Sequence, residues 1–194
     1  MRSRRMLPHG FAISWSPTHK HLLRWARDGT WDRVLAQLRR QVRDAHGRNP
    51  EPTAGVIDSC SIKASPVCGP RGFDGAKKLD GIKRHVVVDT LGLLVAVLVT
   101  AASVQDRAAV PRLLARARYR CPRLGHLWAD QGYTGAVVQA VSRILPFTIQ
   151  IVGGIKPKGG FVVQPRRWGC RAGFRLDAPL PTPHPTVRAD PTGP

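Results

Sequence analysis

Residues 85–100 read HVVVDTLGLLVAVLVT, and the fold follows from them. Two apolar runs, His85 to Asp89 and Leu93 to Thr100, are dense in β-branched residues, whose stiff side chains suit a pleated strand better than a helix. Thr90, Leu91 and Gly92 separate them, a loop of hairpin length. Upstream, Val56 to Lys63 (VIDSCSIK) has the same character, so the spacing predicts a three-strand antiparallel meander. Between the first and second strands runs CGPRGFDGAKKLDGIKRH, where Gly69, Gly72, Gly75 and Gly81 alternate with Arg71, Lys77, Lys78, Lys83 and Arg84. It reads as a mobile basic loop, whose lysines either lie against phosphates or merely keep the connection soluble.

Downstream the pattern changes. A helix ending near Tyr119 is expected, with Asp106 near its approach and Pro111 in its first turn, where a missing N–H does no harm. Leu124 to Asp130 (LGHLWAD) reads as a fourth strand, Gly135 to Ile144 as a helix and Phe147 to Val152 as a fifth strand. The order β-β-β-α-β-α-β implies an α/β fold with a mixed sheet and flanking helices, the layout of a ribonuclease H-like domain.

The first fifty residues are different. Residues 1–29 hold at most one short helix, near His19 to Arg27. From Trp31 the positions Trp31, Leu35, Leu38, Val42 and Ala45 recur at helical spacing, with Thr30 as cap and Gly47 as stop. Arg33, Arg39, Arg40 and Arg43 fall off that stripe, on a face that meets either solvent or DNA. The proline-broken NPEPTAG at 49–55 then separates this helical region from the strands.

Composition narrows the function. Lys and Arg number 31 against 12 Asp and Glu, a formal net charge of +19, which favours phosphate-rich partners without specifying a sequence. With 42% hydrophobic residues the chain is too apolar to be a disordered basic tail. No apolar run reaches the roughly 18 to 20 residues of a membrane helix, and the basic start lacks the apolar segment of a signal peptide. The expectation is a soluble cytoplasmic protein, associated with the nucleoid and not with a membrane. Cys60, Cys68, Cys121 and Cys170 form no pair at zinc-ligand spacing and read as free thiols.

Two aspartates stand out. Asp58 lies inside the first strand, where a carboxylate is costly to desolvate unless a cation compensates it. Asp130 ends the fourth strand, just before Gln131, Gly132 and Tyr133. If strands one and four are neighbours, both carboxylates converge on Mg²⁺ or Mn²⁺, and two such ions roughly 3.5 to 4 Å apart activate a water and stabilise a leaving 3′ oxygen. The plainer reading is that Asp58 pairs with a lysine such as Lys63 and Asp130 only begins a turn.

At these residues the chain resembles the bacterial insertion-sequence DDE transposases grouped as IS-four and IS-five. The matching stretches are RWARDGTWDRVLAQLRRQVR, GRNPEPTAGVIDSCSIK, GPRGFDGAKKLDGIKRHVVVDTLGLL, VQDR, LWADQGY and KGGFVVQPRRW, running from about Trp25 to Trp168. The resemblance makes Asp58 the first catalytic and metal-holding acid and Asp130 the second. It implies DNA as partner, at element ends and target, with Lys63, Arg71, Lys77, Lys78, Lys83 and Arg84 as backbone contacts. Self-association, or association with a full-length transposase, is also implied.

The family's third acid is a glutamate soon after an RRW motif. Here Arg166, Arg167 and Trp168 are followed by Gly169, Cys170, Arg171 and Ala172, and the glutamate is missing. Codon degeneracy allows one extra G at the Trp168 codon to convert Trp-Val-Val-Glu into Trp-Gly-Cys-Arg, so a frameshift is expected. Six of the seventeen prolines fall from Pro179 onward, marking a disordered tail. The sequence thus divides into a helical region at 1–50 that is DNA-binding in part, a ribonuclease H-like DDE domain at 54–168 lacking its last catalytic helix, and a frameshifted Pro-rich tail at 169–194. The resemblance implies metal-dependent DNA cleavage and strand transfer, with this chain expected to be defective. The rival is a non-catalytic DNA-binding fragment that inhibits full-length transposase, or a relic without function.

Overall fold

A computed structural model of the chain describes residues 15–63 and 71–152. The expectations about the tail at 169–194, the RRW motif, Cys68 and Cys170 lie outside these residues.

The meander forms as expected and carries the sheet. Strands β1 (Ala54–Lys63), β3 (Leu79–Asp89) and β4 (Leu94–Ala101) run antiparallel in the order β1-β3-β4, and a short β2 (Gly72–Asp74) pairs with the start of β3. On the other side of β1 lie β5 (His126–Ala129) and then β6 (Thr148–Ile151), both parallel to their neighbours. The strand order β4-β3-β1-β5-β6, antiparallel for the first three strands and parallel for the last two, is the ribonuclease H-like arrangement. Helices α3 (Asp106–Arg120) and α4 (Ala136–Ile144) connect β4 to β5 and β5 to β6.

The core lies between α3 and one face of this sheet. Ala109, Val110, Leu113, Leu114 and Ala117 make a buried stripe on α3, packed with Ile57, Val87, Ala96, Leu98, Leu127 and Ala129 from the strands. These strand residues are cross-strand partners or lie two apart, as the alternation of side chains across a pleated sheet requires. Pro111 sits inside α3 and not in its first turn. It removes only the bond to the Arg107 carbonyl, near an end where several backbone groups are unpaired in any case.

The basic segment and the helical region depart further from the expectations. The segment read as a mobile basic loop is largely strand, because β3 begins at Leu79 and takes in Lys83 and Arg84. Gly72 permits a close approach, since a side chain there would collide with Ser103. Among the described residues of this segment, the non-strand part is the turn around Gly75–Lys78, in which Lys78 has a positive φ of 51°.

The helix over residues 31–45 is present as α2 (Thr30–Ala45), preceded by α1 (Trp15–Arg27), which is longer than expected. Its orientation, however, reverses the expectation. Trp31, Val34, Leu38 and Val42 are exposed, while Arg39 and Arg43 are buried. Asp89 supplies the reason. Its buried carboxylate holds the β3–β4 turn by accepting from the backbone N–H groups of Leu91 and Leu93, each at 2.9 Å. A buried carboxylate needs a cation, and Arg43 meets it at 2.6 Å while also donating to the Asn49 carbonyl. Arg39 donates to the Leu94 carbonyl at the same turn. Thr30 is the first residue of α2 and not its cap; Gly29, with φ 74°, takes that place, and Asp28 accepts from the Thr30 N–H.

Candidate active site

The pairing of β1 with β5 builds the site. Ala54 is level with His126, Gly55 with Leu127 and Val56 with Trp128, and the same register carried two residues further puts Asp58 level with Asp130. Strands in a sheet lie roughly 4.8 Å apart and level residues of parallel strands share a face, so the two carboxylates sit side by side where β5 stops. Asp58 is half-buried and Asp130 exposed.

Each is held by a backbone N–H. The Ser59 N–H donates to Asp58 Oδ1 at 2.7 Å, and the Gly132 N–H donates to Asp130 Oδ1 at 2.9 Å. Asp130 therefore also begins a turn, the 3₁₀ segment Gln131–Tyr133. Burial pushes the Asp58 carboxyl up to about 7, against the lowering effect of the Ser59 N–H; the negative charge of Asp130 raises it further, Lys77 lowers it and Asp106 raises it. No ion pair joins Asp58 to Lys63 among the described residues, and Lys63 is exposed at the end of β1.

Behind the two aspartates, on the face that packs against α3, lies a polar network that sequence reasoning missed. Asp106, the first residue of α3, accepts from Ser59 Oγ at 2.7 Å, and its Oδ1 is 3.3 Å from Lys83 Nζ. Lys83 also donates to the Val104 carbonyl at 2.9 Å and lies 3.8 Å from Asp74. Asp74 accepts from Ser61 Oγ, which holds its carboxyl below the usual range. His85 is fully buried, with Nε2 on Thr100 Oγ1 at 3.0 Å and Nδ1 3.9 Å from Asp106, and burial lowers its pKa. Tyr133 is buried beside Ser59, and burial pushes its phenol upward. The only signal for this network in the sequence is the polar alternation Ser59, Ser61 and Lys83, His85 within otherwise apolar strands, together with Asp106 at a helix start.

The basic residues divide by position. Arg71, Lys77 and Lys78 are exposed around β2 and the turn after it, Arg71 3.6 Å from Asp80 and Lys77 close enough to Asp58 to affect its charge. Arg84 is half-buried, on the same sheet face as Asp58 by its register with Cys60. Lys83 is buried and engaged with Asp106 and Val104, so its place is inside the network and not on an outer phosphate-binding surface. An open cleft of about 540 Å³ adjoins the network, lined by Asp74, Lys83, Asp106, Arg107, Gln131 and Gly132 among others.

Residues 49–170, more than half of the chain, match the family described as the transposase DDE domain. The chain belongs to that family. The match spans both aspartates and the whole sheet and ends two residues past Trp168. Among solved structures, a simian T-cell lymphotropic virus intasome in complex with PP2A regulatory subunit B56 gamma is similar over 66% of this chain and 38% of that one, at 17% identity and a TM-score of 0.42. A piggyBac transposase synaptic complex with hairpin DNA is similar over 56% of this chain and 24% of that one, at 16% identity and a TM-score of 0.37. The transposase DDE domain chain thus spans less than half the length of either. A search of curated proteins gives no match.

The donor set of Asp58 and Asp130 is all oxygen, the chemistry preferred by hard divalent cations. Among the described residues, no group of three or more His, Cys, Asp or Glu could hold a metal ion. No helix of the described residues is long and apolar enough to cross a membrane.

Proposed function

We propose that this chain is a DNA-binding DDE transposase of the bacterial insertion-sequence type, with Asp58 and Asp130 as the metal-holding catalytic acids, and that it lacks the third acid needed for cleavage. The observation that carries the proposal is the β1–β5 register, which aligns the two aspartates at the end of the sheet within a transposase DDE domain.

Asp58 and Asp130 would hold Mg²⁺ or Mn²⁺, which would supply the Lewis-acid chemistry of phosphodiester hydrolysis in a complete site. The chain's own part is to fix the carboxylates through the Ser59 and Gly132 N–H groups and to offer cations along the approach. Lys77 and Lys78 in the turn, with Lys63, Arg71 and Arg84, are the candidates for backbone contact, each neutralising one phosphate. Lys83 serves the acids instead.

Defective cleavage is supported by Gly169, Cys170, Arg171 and Ala172 after Trp168, where the resemblance calls for glutamate. Catalytic groups that act as a unit commonly lose about 10⁴-fold in rate when one is removed. The same observation favours the second reading, a DNA-binding regulator that co-assembles with a full-length transposase.

The test combines binding and nicking. The full chain is expected to bind duplex DNA with an affinity falling steeply with salt, and to leave supercoiled plasmid intact in Mg²⁺ or Mn²⁺. Nicking abolished by Asp58→Ala would show the chain to be active; affinity indifferent to salt would remove the DNA-binding reading. A gene sequence after the Trp168 codon that cannot encode Val-Val-Glu in another frame disposes of the frameshift.

A further inference from the structure

Asp58 and Asp130 come from different strands, and a single side chain lies against the anchors of both. Asp58 is held by the backbone N–H of Ser59, and the hydroxyl of that same Ser59 donates to Asp106 Oδ1 at 2.7 Å. Asp130 is held by the backbone N–H of Gly132. The other oxygen of Asp106 fills the space over Gly132: it lies 3.2 Å from the position a β-carbon would take there, with Asp130 Oδ1 at 3.1 Å. One carboxylate thus abuts both residues that fix the candidate metal acids.

Asp106 is itself fixed from behind. Lys83, buried and bonded to the Val104 carbonyl, sets its ammonium 3.3 Å from Asp106 Oδ1, and the α3 N-terminus carrying Asp106 favours a negative charge. A half-exposed carboxylate with nothing to do would turn to solvent; this one is held inward by a lysine and a serine.

We propose that Asp106 is a positioning residue, the brace that sets Asp58 and Asp130 in a common geometry through Ser59 and Gly132. The inference rests on the reading of those two aspartates as the metal carboxylates. Asp106 acts through its neighbours and does not itself touch the ion. Asparagine, which has the same shape and keeps an oxygen for the Ser59 hydroxyl, should do most of the work of the aspartate. Alanine should not.

The experiment uses the full chain and has a metal-free arm and a Mn²⁺ arm. In the first, amide hydrogen exchange is read by NMR at Ser59 and Gly132, with Val87 and Leu113 as core references. Asp106→Ala should speed exchange at both site amides roughly tenfold, as expected when a charge-assisted bond loosens, and leave the references unchanged. Asp106→Asn should stay within about threefold of the native chain. Native-like exchange at both amides in Asp106→Ala overturns the brace. Should Asp106→Ala unfold, Ser59→Ala deletes only the hydroxyl: faster exchange at the residue-59 amide supports the brace, and no change overturns it.

In the second arm, free Mn²⁺ is followed by its paramagnetic resonance signal. Asp58→Ala should abolish uptake, Asp106→Ala should weaken it roughly tenfold and Asp106→Asn should restore it. If Asp106→Asn binds as poorly as Asp58→Ala, Asp106 is a ligand and the positioning role falls. If the native chain takes up no Mn²⁺, the metal reading fails, while the exchange result still decides the brace.

Discussion

Replacing Asp58 by asparagine should make the metal-free protein more stable, by an amount that depends on pH. Burial and the neighbouring carboxylates raise the Asp58 carboxyl from 3.8 to about 7. The folded chain therefore holds a proton there that the unfolded chain has already released. Below pH 4 both states are protonated and there is no penalty. Between 4 and 7 the unfolded state gains ionisation free energy that the folded state does not, at about 1.4 kcal/mol per pH unit. Above 7 both are ionised and the penalty is constant. The full interval corresponds to about 4 kcal/mol, and solvent reaching the half-buried group reduces it to nearer 2 kcal/mol. Asparagine keeps an acceptor for the Ser59 N–H and never ionises. Urea unfolding followed by tryptophan fluorescence, in chelator at pH 4, 5, 6, 7 and 8, should show Asp58→Asn gaining on the native chain up to pH 7 and holding that margin at pH 8. A difference that does not vary with pH, or a variant less stable than native at pH 8, would refute the account of Asp58 as a carboxylate held at a cost for a cation.

Three further outcomes follow from the same geometry. Arg43→Ala should cost about 3 to 5 kcal/mol in urea unfolding, because it leaves Asp89 buried and unpaired beneath the β3–β4 turn; Arg43→Ala combined with Asp89→Asn should recover part of that loss. Gly132→Ala should weaken Mn²⁺ uptake by about tenfold with a change in stability of about 1 kcal/mol, since the new methyl enters the space between the Asp106 and Asp130 carboxylates at a turn open to solvent; unchanged uptake would place the ion elsewhere. Lys77→Ala with Lys78→Ala should lower DNA affinity and reduce the salt slope by about 2, while leaving the preference among DNA sequences as it was; an unchanged slope would remove the turn from the phosphate-binding surface.

What was legible in the sequence was whatever depends on local pattern. The runs of β-branched residues around Val86–Val88 and Val95–Val99 mark strands because their side chains restrict the backbone wherever they occur. The register of Asp58 with Asp130 required only that β1 and β5 be neighbours, which the β-β-β-α-β order implies. Lys83 and Arg84 were hidden, because a basic residue in a glycine-rich stretch looks the same whether it faces water or a buried carboxylate. Arg39 and Arg43 were misplaced for a related reason. The stripe of Trp31, Leu38 and Val42 predicts which face of α2 is apolar, yet the side that packs is decided 46 residues away, by the need of Asp89 for a cation.

Asp106 belongs to the same class of hidden residue, and it bears on what would remain of the site if the chain lacks its third acid, as proposed. The geometry of Asp58 and Asp130 depends on the sheet, on two backbone N–H groups and on the network of Ser59, Asp106 and Lys83, all lying between Ala54 and Tyr133. On the proposed reading, absence of the third acid would abolish cleavage without disturbing these contacts, and the repulsion between the two carboxylates would persist until a cation or a proton relieved it. A chain of this kind should still take up a divalent ion and still carry its basic turn to DNA. Those are the two properties a competitor for a complete transposase would need, and the proposed regulatory reading rests on them.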